Sequence, residues 1–240
     1  MFRLSKSFKL PVSRSSIARN LPNTQKIRIT TMVSPKAAPE KAKIVKVEPL
    51  DSKDAKWTKL EKITYTDPNG KERPWECASR PTRPKSSDVD AVAIIAILEK
   101  PDDPEIVLQK QFRPPTGGVC IEVPAGRVDP NESIETTALR ELKEETGYIG
   151  KVISKSPTIF NDPGFCSTNL SLVVTSIDLG DERNQNPTPE LEEGEFIETF
   201  SVPIKDFDDQ LRKLDSQGYK IDSRVQNIAE GIKIAQKFKL

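Results

Sequence analysis

The segment from Gly126 to Tyr148 constrains this chain more than any other, because it concentrates acidic residues on a stretch with helical character. Glu141, Glu144 and Glu145 are spaced i, i+3 and i+4, so they lie on one face of a helix with about 3.6 residues per turn. Like charges at this spacing repel one another and destabilise a bare helix. A bound divalent cation removes this repulsion, and carboxylate oxygens are the ligands that Mg²⁺ and Mn²⁺ prefer. The cluster therefore predicts a divalent metal site on a helix.

The same segment carries signals for both ends of the helix. Ser133 is a preferred N-cap residue, and Gly147 readily adopts the left-handed conformation that follows a last helical turn. Together they predict a helix over residues 133–146. A solvated Glu/Lys face is the usual explanation of a charge run, but it gives no reason for Gly126 and Gly147 at their spacings.

Composition removes several kinds of chemistry. The chain has 240 residues and no histidine, which excludes imidazole acid–base catalysis, histidine–cysteine nucleophiles and histidine-ligated zinc. Its three cysteines, Cys77, Cys120 and Cys166, are scattered, which favours reduced thiols over a disulfide framework. No stretch reaches the roughly 20 apolar residues that a membrane span needs. Carboxylates are therefore expected to transfer protons, and no membrane partner is expected.

The net charge of +1 hides an asymmetry along the chain. Residues 1–36 hold eight of the 37 basic residues and no acid, so 29 basic residues face all 36 acidic residues in the remainder. An acidic body argues against nucleic acid as the main partner. The basic segment, assigned to a tail over residues 1–43, is similar to a mitochondrial transit peptide. The alternative is a disordered tail on a cytoplasmic or nuclear protein, and a start at Met32 would remove most of it.

After the tail, the pattern predicts an α/β domain preceded by a small β subdomain. In residues 44–85, short strands flank Asp67-Pro68-Asn69-Gly70, which is a strong hairpin signal. In residues 86–240, the apolar run 91–98 is typical of a buried central strand. Further strands are predicted at residues 105–113, 119–123, 152–160, 170–177 and 196–202, and two late helices at residues 204–216 and 224–238.

The spacing of the acidic segment resembles the Nudix box, the signature of a hydrolase family. The matching positions are Gly126, Glu132, Arg140, Glu141, Leu142, Glu144, Glu145 and Gly147. Tyr148 departs from the pattern, since the family more often has an aliphatic residue there. A motif of this length is far more specific than a short glycine motif. The resemblance implies an α/β/α sandwich with a mixed sheet, and hydrolysis of a nucleoside diphosphate linked to another group.

Segments outside the box resemble the ADP-sugar pyrophosphatase branch, in particular its eukaryotic ADP-ribose enzymes. They are residues 57–62, Trp75-Glu76, Arg80, and residues 111–115, 121–126, 162–164 and 194–196. Pro163 lies sixteen positions after Gly147, where members that cleave ADP-ribose tend to carry proline. The resemblance implies Mg²⁺-dependent hydrolysis of ADP-ribose to AMP and ribose 5-phosphate, with Mn²⁺ as a substitute metal.

The same resemblance implies how the adenosine half of the substrate is held. Trp57 and Trp75, the only tryptophans, would clamp the adenine between the two subunits of a homodimer, since aromatic faces stack well on a flat base. Ordinary core packing is the alternative for both. Glu76 and Arg80 would hydrogen-bond the adenine edge or the ribose.

Two further contacts concern the phosphates and the terminal ribose. Arg113 would donate a fork of hydrogen bonds to a phosphate oxygen, with a surface salt bridge as the alternative. Asp162 would contact the terminal ribose, although Asp-Pro-Gly is also simply a good turn.

For catalysis, the resemblance implies a metal held by Glu141, Glu145 and the Ala125 carbonyl. Glu144 would assist directly or through water. Three supporting residues are expected behind this cluster: Glu122 and Arg140 as orienting groups, and Glu132 in a structural role.

The proton acceptor is expected from the polar segment 184–195, since related enzymes use a mobile loop after the box. Glu195 aligns best, because Gly194-Glu195-Phe196 opens the next predicted strand. The alternatives are Glu190, Glu192 and Glu193, any of which is also explained as a solvated loop charge.

Two rival functions stay open at this point. One is a Nudix-fold module that senses ADP-ribose without cleaving it, although such modules usually lose the acids that are intact here. The other is a Nudix hydrolase that acts mainly on oxidised guanine nucleotides or on other ADP-sugars. Hydrolysis in the presence of Mg²⁺ distinguishes an enzyme from a sensor. A comparison of kcat/KM across substrates distinguishes an ADP-ribose hydrolase from one that acts on the other nucleotides.

Overall fold

The computed structural model describes residues 30–32 and 38–239. Within these residues the chain forms twelve strands and three α-helices. The strands are β1 Thr30–Met32, β2 Lys59–Thr66, β3 Glu72–Ser79, β4 Ala91–Glu99, β5 Glu105–Arg113, β6 Gly118–Glu122, β7 Ala125–Arg127, β8 Lys151–Lys155, β9 Ile159–Phe160, β10 Asn169–Asp178, β11 Ile197–Pro203 and β12 Lys220–Ile221. The helices are α1 Ile134–Thr146, α2 Phe207–Ser216 and α3 Ser223–Phe238.

Ten of these strands form one mixed sheet, whose central order is β1-β11-β5-β4-β10-β8. Strands β4 and β10 run parallel, from Ala91 opposite Leu170 to Glu99 opposite Asp178. Strand β6 pairs antiparallel with β5, and β12 pairs parallel with β6. The predicted mixed sheet is confirmed, and its arrangement brings β6, β7 and β12 to one end of the central strands.

The sheet separates two apolar layers, which together form the core. On one face, Ala93 and Leu108 pack with Val225 of α3 and with α2. On the other face, Ile94 packs with Leu142 of α1. Burying a large aliphatic side chain contributes roughly 1.5 to 3 kcal/mol, so strand β4, buried on both faces, is central to stability. Helices on both faces confirm the expected α/β/α sandwich.

Helix α1 has the predicted ends. The Ser133 hydroxyl accepts a hydrogen bond from the Thr136 amide, which caps the first turn. Gly147 ends the helix with φ of 76°, and its amide donates to the Lys143 carbonyl. A side chain at this position would also collide with the backbone of Thr188. Glycine is therefore required both by the helix end and by the loop packed against it.

The predicted hairpin is confirmed and forms a separate two-stranded sheet. Strands β2 and β3 pair from Lys59 opposite Ser79 to Thr66 opposite Glu72. In the turn, the Asp67 carboxylate accepts from the amides of Asn69 and Lys71 at 3.0 Å. The hairpin joins the main domain through backbone hydrogen bonds of Ala78 to residues 165 and 167.

The structure corrects two predicted elements. The strand expected over residues 152–160 is divided into β8 and β9, because Pro157 has no amide hydrogen for the ladder. Ser156 compensates with its side chain, whose hydroxyl oxygen accepts from the Leu172 amide at 2.9 Å. The helix expected from residue 204 begins as a single 3-10 turn over 204–206 before α2.

The predicted tail over residues 1–43 lies largely outside the described residues. Its transit-peptide character therefore stays a prediction. Where the structure does describe this segment, Thr30–Met32 pairs with β11, and Glu40 accepts a hydrogen bond from Tyr219 at 2.8 Å. The tail thus differs from the prediction at its C-terminal side, where it contacts the domain. None of the helices in the described residues has the length and apolar character needed to span a bilayer.

Candidate active site

An open cleft of about 860 Å³ lies beside β6 and β7, between α1 and the start of α3. Gly126, Glu141 and Glu144 line one wall of it. Glu195 reaches the same cleft from the loop that precedes β11, and Arg224 reaches it from α3. The fold thus brings the predicted acidic helix face and the predicted loop carboxylate together, although they are far apart in sequence.

Gly126 allows the closest approach between β7 and α1. A methyl group built at Gly126 would overlap the Glu141 carboxylate. The absence of a side chain at position 126 therefore leaves room for this carboxylate against the strand, next to Ala125. This contact explains why the predicted motif needs glycine six positions before Glu132.

Glu145 lies behind Glu141, with only 4% of its surface exposed. Its Oε2 accepts a hydrogen bond from the Ala125 amide at 2.8 Å, and Oε1 faces Gln109 Nε2 at 3.5 Å. Burial raises the pKa of Glu145 well above its ordinary value, and the charges of Glu141 and Glu195 raise it further. The carboxyl group is held in place on a wall with an excess of negative charge.

Arg140 connects the exposed acids of the motif. Its Nη1 donates to both Glu141 and Glu144 at 2.9 Å. Its Nε and Nη2 donate to the two oxygens of Glu132, at 3.0 and 2.9 Å. The expected pairing of Arg140 with the carboxylates is present, and Glu132 holds the guanidinium from behind. Burial raises the pKa of Glu141 even though Arg140 opposes this effect.

The chemistry of this wall fits a hard divalent cation. In the described part of the chain, no three acidic or cysteine side chains already converge as a ligand set. Yet the acidic side chains of this wall offer carboxylate oxygens, and the pKa values of Glu141 and Glu145 are both raised by burial and by neighbouring negative charge. A cation beside the two carboxylates would relieve this repulsion, and oxygen donors favour Mg²⁺ or Mn²⁺ over softer metals.

The loop carrying the predicted proton acceptor is attached to α1. The Glu190 amide donates to the Glu144 carbonyl at 2.7 Å, and the Glu190 carboxylate pairs with Lys143 at 2.9 Å. Glu195 is half-buried, and its Oε2 accepts from the Glu192 amide at 3.0 Å. Glu192 also lines the cleft, whereas Glu193 is exposed in the loop. Of the four loop carboxylates, Glu195 acts electrostatically on both Glu141 and Glu145.

Arg113 and Glu122 form a bidentate ion pair at the cleft. Arg113 Nε and Nη2 donate to the two oxygens of Glu122, at 2.9 and 2.7 Å. Glu122 is only 3% exposed, so its charge requires a partner inside the protein. The salt bridge named as the alternative for Arg113 is therefore present in the ligand-free chain, although its partner is a buried carboxylate.

The two tryptophans lie on the surface. Trp57 is 65% exposed and Trp75 is 48% exposed, so the alternative that they are core aromatics is wrong. The Trp75 indole nitrogen donates to the Gly164 carbonyl at 3.1 Å, and its ring meets the Tyr65 ring edge-on at a centroid distance of 6.4 Å. Both indole rings are therefore available to contact another molecule.

The remaining predicted substrate-binding residues differ in whether they line the cleft. Arg80 lines the cleft, and Glu76 is exposed on β3. Asp162 does not line the cleft within this chain, and its contact with the terminal ribose stays a prediction. Its carbonyl accepts from the amides of Phe165 and Cys166, which closes the turn that supports the hairpin.

Sequence reasoning missed charged residues that line the cleft, among them Asp90, Asp222 and Arg224, and also Arg83, which pairs with Asp90. Arg83 donates two hydrogen bonds to Asp90, at 2.9 and 2.8 Å, and Asp90 also accepts from the Asn169 amide. Arg224 makes a similar pair with Asp222, at 2.8 and 2.7 Å. The sequence contained one signal for this second pair. Asp222 lies at the N-cap position before α3, where an aspartate accepts hydrogen bonds from nearby donors.

Comparison with known proteins agrees with the resemblance found in the sequence. The sequence profile of the NUDIX domain matches residues 89–224, which include α1 and Glu195. The chain is 56% identical over 213 residues to an ADP-ribose pyrophosphatase of Saccharomyces cerevisiae, covering 87% of this chain and 91% of that protein. It is 44% identical over 199 residues to an uncharacterised Nudix hydrolase of Schizosaccharomyces pombe, covering 83% and 97%. An ADP-sugar pyrophosphatase of Mus musculus is 44% identical over 166 residues, covering 69% and 74%.

Proposed function

The chain belongs to the Nudix family of hydrolases, and from this premise we propose that it cleaves the pyrophosphate of ADP-ribose with Mg²⁺, giving AMP and ribose 5-phosphate. One observation carries the proposal. On the intact acidic face of α1, Glu141 and Glu144 line a cleft that also contains Glu195, and Glu145 is buried behind them. The names of similar proteins, an ADP-ribose pyrophosphatase and an ADP-sugar pyrophosphatase, support the substrate class.

The metal would be held by Glu141, Glu145 and the Ala125 carbonyl, with Glu144 assisting directly or through water. When bound, a divalent cation neutralises charge on the pyrophosphate and lowers the pKa of a coordinated water, and Mn²⁺ is expected to substitute for Mg²⁺. Arg140 is already within 2.9 Å of Glu141 and Glu144, so it would keep both carboxylates oriented as the metal enters.

In the reaction, a water oxygen attacks one phosphorus, and the bond from that phosphorus to the bridging oxygen breaks. Glu195 would accept the proton of this water on a carboxylate oxygen. The hydrogen bond from the Glu192 amide to Glu195 Oε2 supports this role, because it restrains the direction of the carboxylate. The second phosphate leaves with the bridging oxygen, so both products are monophosphates.

Substrate binding is proposed to need a second copy of the chain. Ile63, Tyr65 and Trp75 form an exposed apolar face of the hairpin, since Ile63 pairs opposite Trp75 and Tyr65 contacts the same ring. Such a face on an enzyme favours association, and two-fold homodimers are the commonest case. Trp57 and Trp75 would clamp the adenine in this dimer.

The other proposed contacts are the ones expected from sequence. Glu76 and Arg80 would bind the adenine edge or ribose, and Arg113 would bind a phosphate oxygen. Asp162 would contact the terminal ribose, and its position outside the cleft of its own chain makes this contact dependent on the partner copy.

The first experiment is AMP release from ADP-ribose, ADP-glucose, NADH and oxidised dGDP with Mg²⁺, for wild type and Glu145→Gln. The amide keeps the shape of Glu145 while removing its charge. Rapid cleavage of ADP-ribose that collapses in Glu145→Gln supports both substrate and metal site. Saturable ADP-ribose binding without turnover of any substrate would favour a sensor instead. A higher kcat/KM for oxidised dGDP than for ADP-ribose would identify an enzyme that acts mainly on oxidised guanine nucleotides.

The location of the protein in the cell depends on residues 1–43. A mitochondrial location follows if the basic segment acts as a transit peptide, and a cytoplasmic or nuclear location follows if translation starts at Met32. Fluorescent fusions of the full chain and of a chain starting at Met32 would separate the two, because only the first retains the basic segment.

A further inference from the structure

Within residues 38–239, five arginines line the cleft, and most of them already have carboxylate partners. Three are paired: Arg113 with Glu122, Arg140 with Glu132, and Arg224 with Asp222. The two others are Arg80, which the sequence already assigns to the substrate, and Arg127. A guanidinium that is not neutralised inside the protein is the group most available to an incoming anion.

Arg127 combines a fixed backbone with an uncommitted side chain. Its residue pairs with Ala91 in the sheet, and its carbonyl accepts from Arg140 Nη2 at 3.2 Å. Its guanidinium has no carboxylate or hydrogen-bond partner among the described residues. Its central carbon lies 5.8 Å from the centroid of the Trp57 ring. Arg127 therefore connects the exposed Trp57 indole to strand β7, directly after Gly126.

We infer that Arg127 binds the phosphate next to the adenosine of the substrate, using hydrogen bonds from the edge of its guanidinium while the plane contacts Trp57. This assignment rests on the proposed function, since it takes a nucleoside diphosphate as the ligand. An arginine can contact a ring with its flat face and donate two parallel hydrogen bonds to an oxyanion with its edge. Arg127 contacts Trp57 and lines the cleft together with Glu141 and Glu144, so it is placed to meet a ligand whose base lies at Trp57 and whose pyrophosphate lies at α1.

The charge of the cleft supports the same assignment. The acidic side chains of Glu141, Glu144 and Glu195 line it, and they repel a pyrophosphate that enters without counter-charge. A metal would neutralise the phosphates on the side of α1. Arg127 supplies positive charge next to Trp57.

The competing explanation is that Arg127 only stabilises the orientation of Trp57. The two explanations differ for ligands with and without phosphate. A residue that acts only through the indole affects adenosine and ADP equally, whereas a phosphate contact affects ADP alone. Binding measurements with Mg²⁺ present isolate this difference, because the acidic wall is then neutralised and neither ADP nor adenosine carries the diphosphate–ribose linkage that the enzyme is proposed to cleave.

The test compares the dissociation constants of ADP and adenosine for full-length wild type, Arg127→Gln and Arg127→Lys by calorimetry. Arg127→Gln is expected to weaken ADP by about tenfold or more, since a hydrogen bond to a charged group is lost, and adenosine by less than about twofold. Arg127→Lys is expected to lie between, because it keeps the charge without the fork. Arg212→Gln, on the exposed side of α2, is the matched control and should bind both ligands like wild type.

Equal weakening of ADP and adenosine, or unchanged ADP binding in Arg127→Gln, would overturn the inference. So would a wild type that binds no ADP. Failure of the proposed function is a separate result: a wild type that binds ADP through Arg127 yet does not cleave ADP-ribose retains the phosphate contact and loses the assigned reaction.

Discussion

The carboxylate of Glu141 occupies the space that a side chain at position 126 would need. Gly126→Ala is therefore expected to displace this carboxylate from β7. Because Glu141 is a flexible side chain, the free energy of unfolding should change by only about 1 kcal/mol. Misplacement of a reactive group by about an ångström can reduce rates roughly 100-fold, so kcat for ADP-ribose should fall by about that factor. Steady-state kinetics and urea denaturation check the two effects.

Gly231→Ala is the matched control, because this glycine lies in α3 with open space around its backbone. It should keep full activity and stabilise the helix slightly, by about 0.5 to 1 kcal/mol. An active Gly126→Ala enzyme would show that Glu141 tolerates displacement and does not hold the metal.

Arg140 couples Glu132 to the proposed metal-binding face of α1, although Glu132 does not line the cleft. Glu132→Gln should lower kcat by about tenfold, because the guanidinium loses the partner that holds it between Glu141 and Glu144. Arg140→Lys should give a similar loss, since an ammonium cannot reach three carboxylates at once. Combining the two changes should cost little more than either alone. Kinetics of the double-mutant cycle measure this coupling, and additive losses would contradict a shared mechanism.

The local part of this site was predictable from sequence, and the reason is geometric. Ser133, Gly147 and the spacing of Glu141, Glu144 and Glu145 all act within one helix, where position in sequence fixes position in space. The box resemblance also identified Gly126, although its physical reason, the overlap with Glu141, needed the approach of β7 to α1.

The pairing of charges across the sheet was not predictable. Arg113 reaches Glu122 along the antiparallel pair β5–β6, in which Glu122 lies opposite Gln109, and Arg127 meets Trp57 because the hairpin segment folds back toward β7. Asp90 and Asn169 meet at the same end of the parallel strands β4 and β10. Each contact depends on the strand order or on how the hairpin is attached to the domain. Local hydrophobic periodicity predicts neither of these.

The ion pair between Arg83 and Asp90 makes a pH-dependent contribution to stability. Burial alone would raise the pKa of Asp90, but the hydrogen bonds from Arg83 and from the Asn169 amide hold it below its ordinary value. A carboxyl with a lowered folded-state pKa stabilises the protein above its unfolded-state pKa of about 3.9, and loses this contribution as the pH falls through the folded-state value. The effect of this carboxylate should therefore be complete at neutral pH.

Asp90→Asn should lower the free energy of unfolding by about 2 kcal/mol at pH near 7, since a buried charge pair is broken. The difference from wild type should shrink as the pH falls below about 4, where wild type also loses the charge. Urea denaturation across this range measures it. Asp102→Asn, at an exposed position, should change stability by less than about 0.5 kcal/mol throughout. A difference that stays constant with pH would contradict the role of the charge.

The exposed face of the hairpin predicts how assembly and substrate affinity are connected. Ile63 lies directly opposite Trp75 and is 45% exposed, so Ile63→Asp places a charge within the proposed dimer contact. We expect monomers by analytical ultracentrifugation and a rise in KM for ADP-ribose of about tenfold or more, because the loss of stacking on one adenine face costs roughly 1 to 3 kcal/mol. Thr64→Asp adds the same charge to the opposite face of β2 and places the same residue of low strand propensity there. It should therefore leave the oligomeric state and the KM near wild type. A wild type that sediments as a monomer, or an Ile63→Asp monomer with normal KM, would show that each chain binds adenine alone.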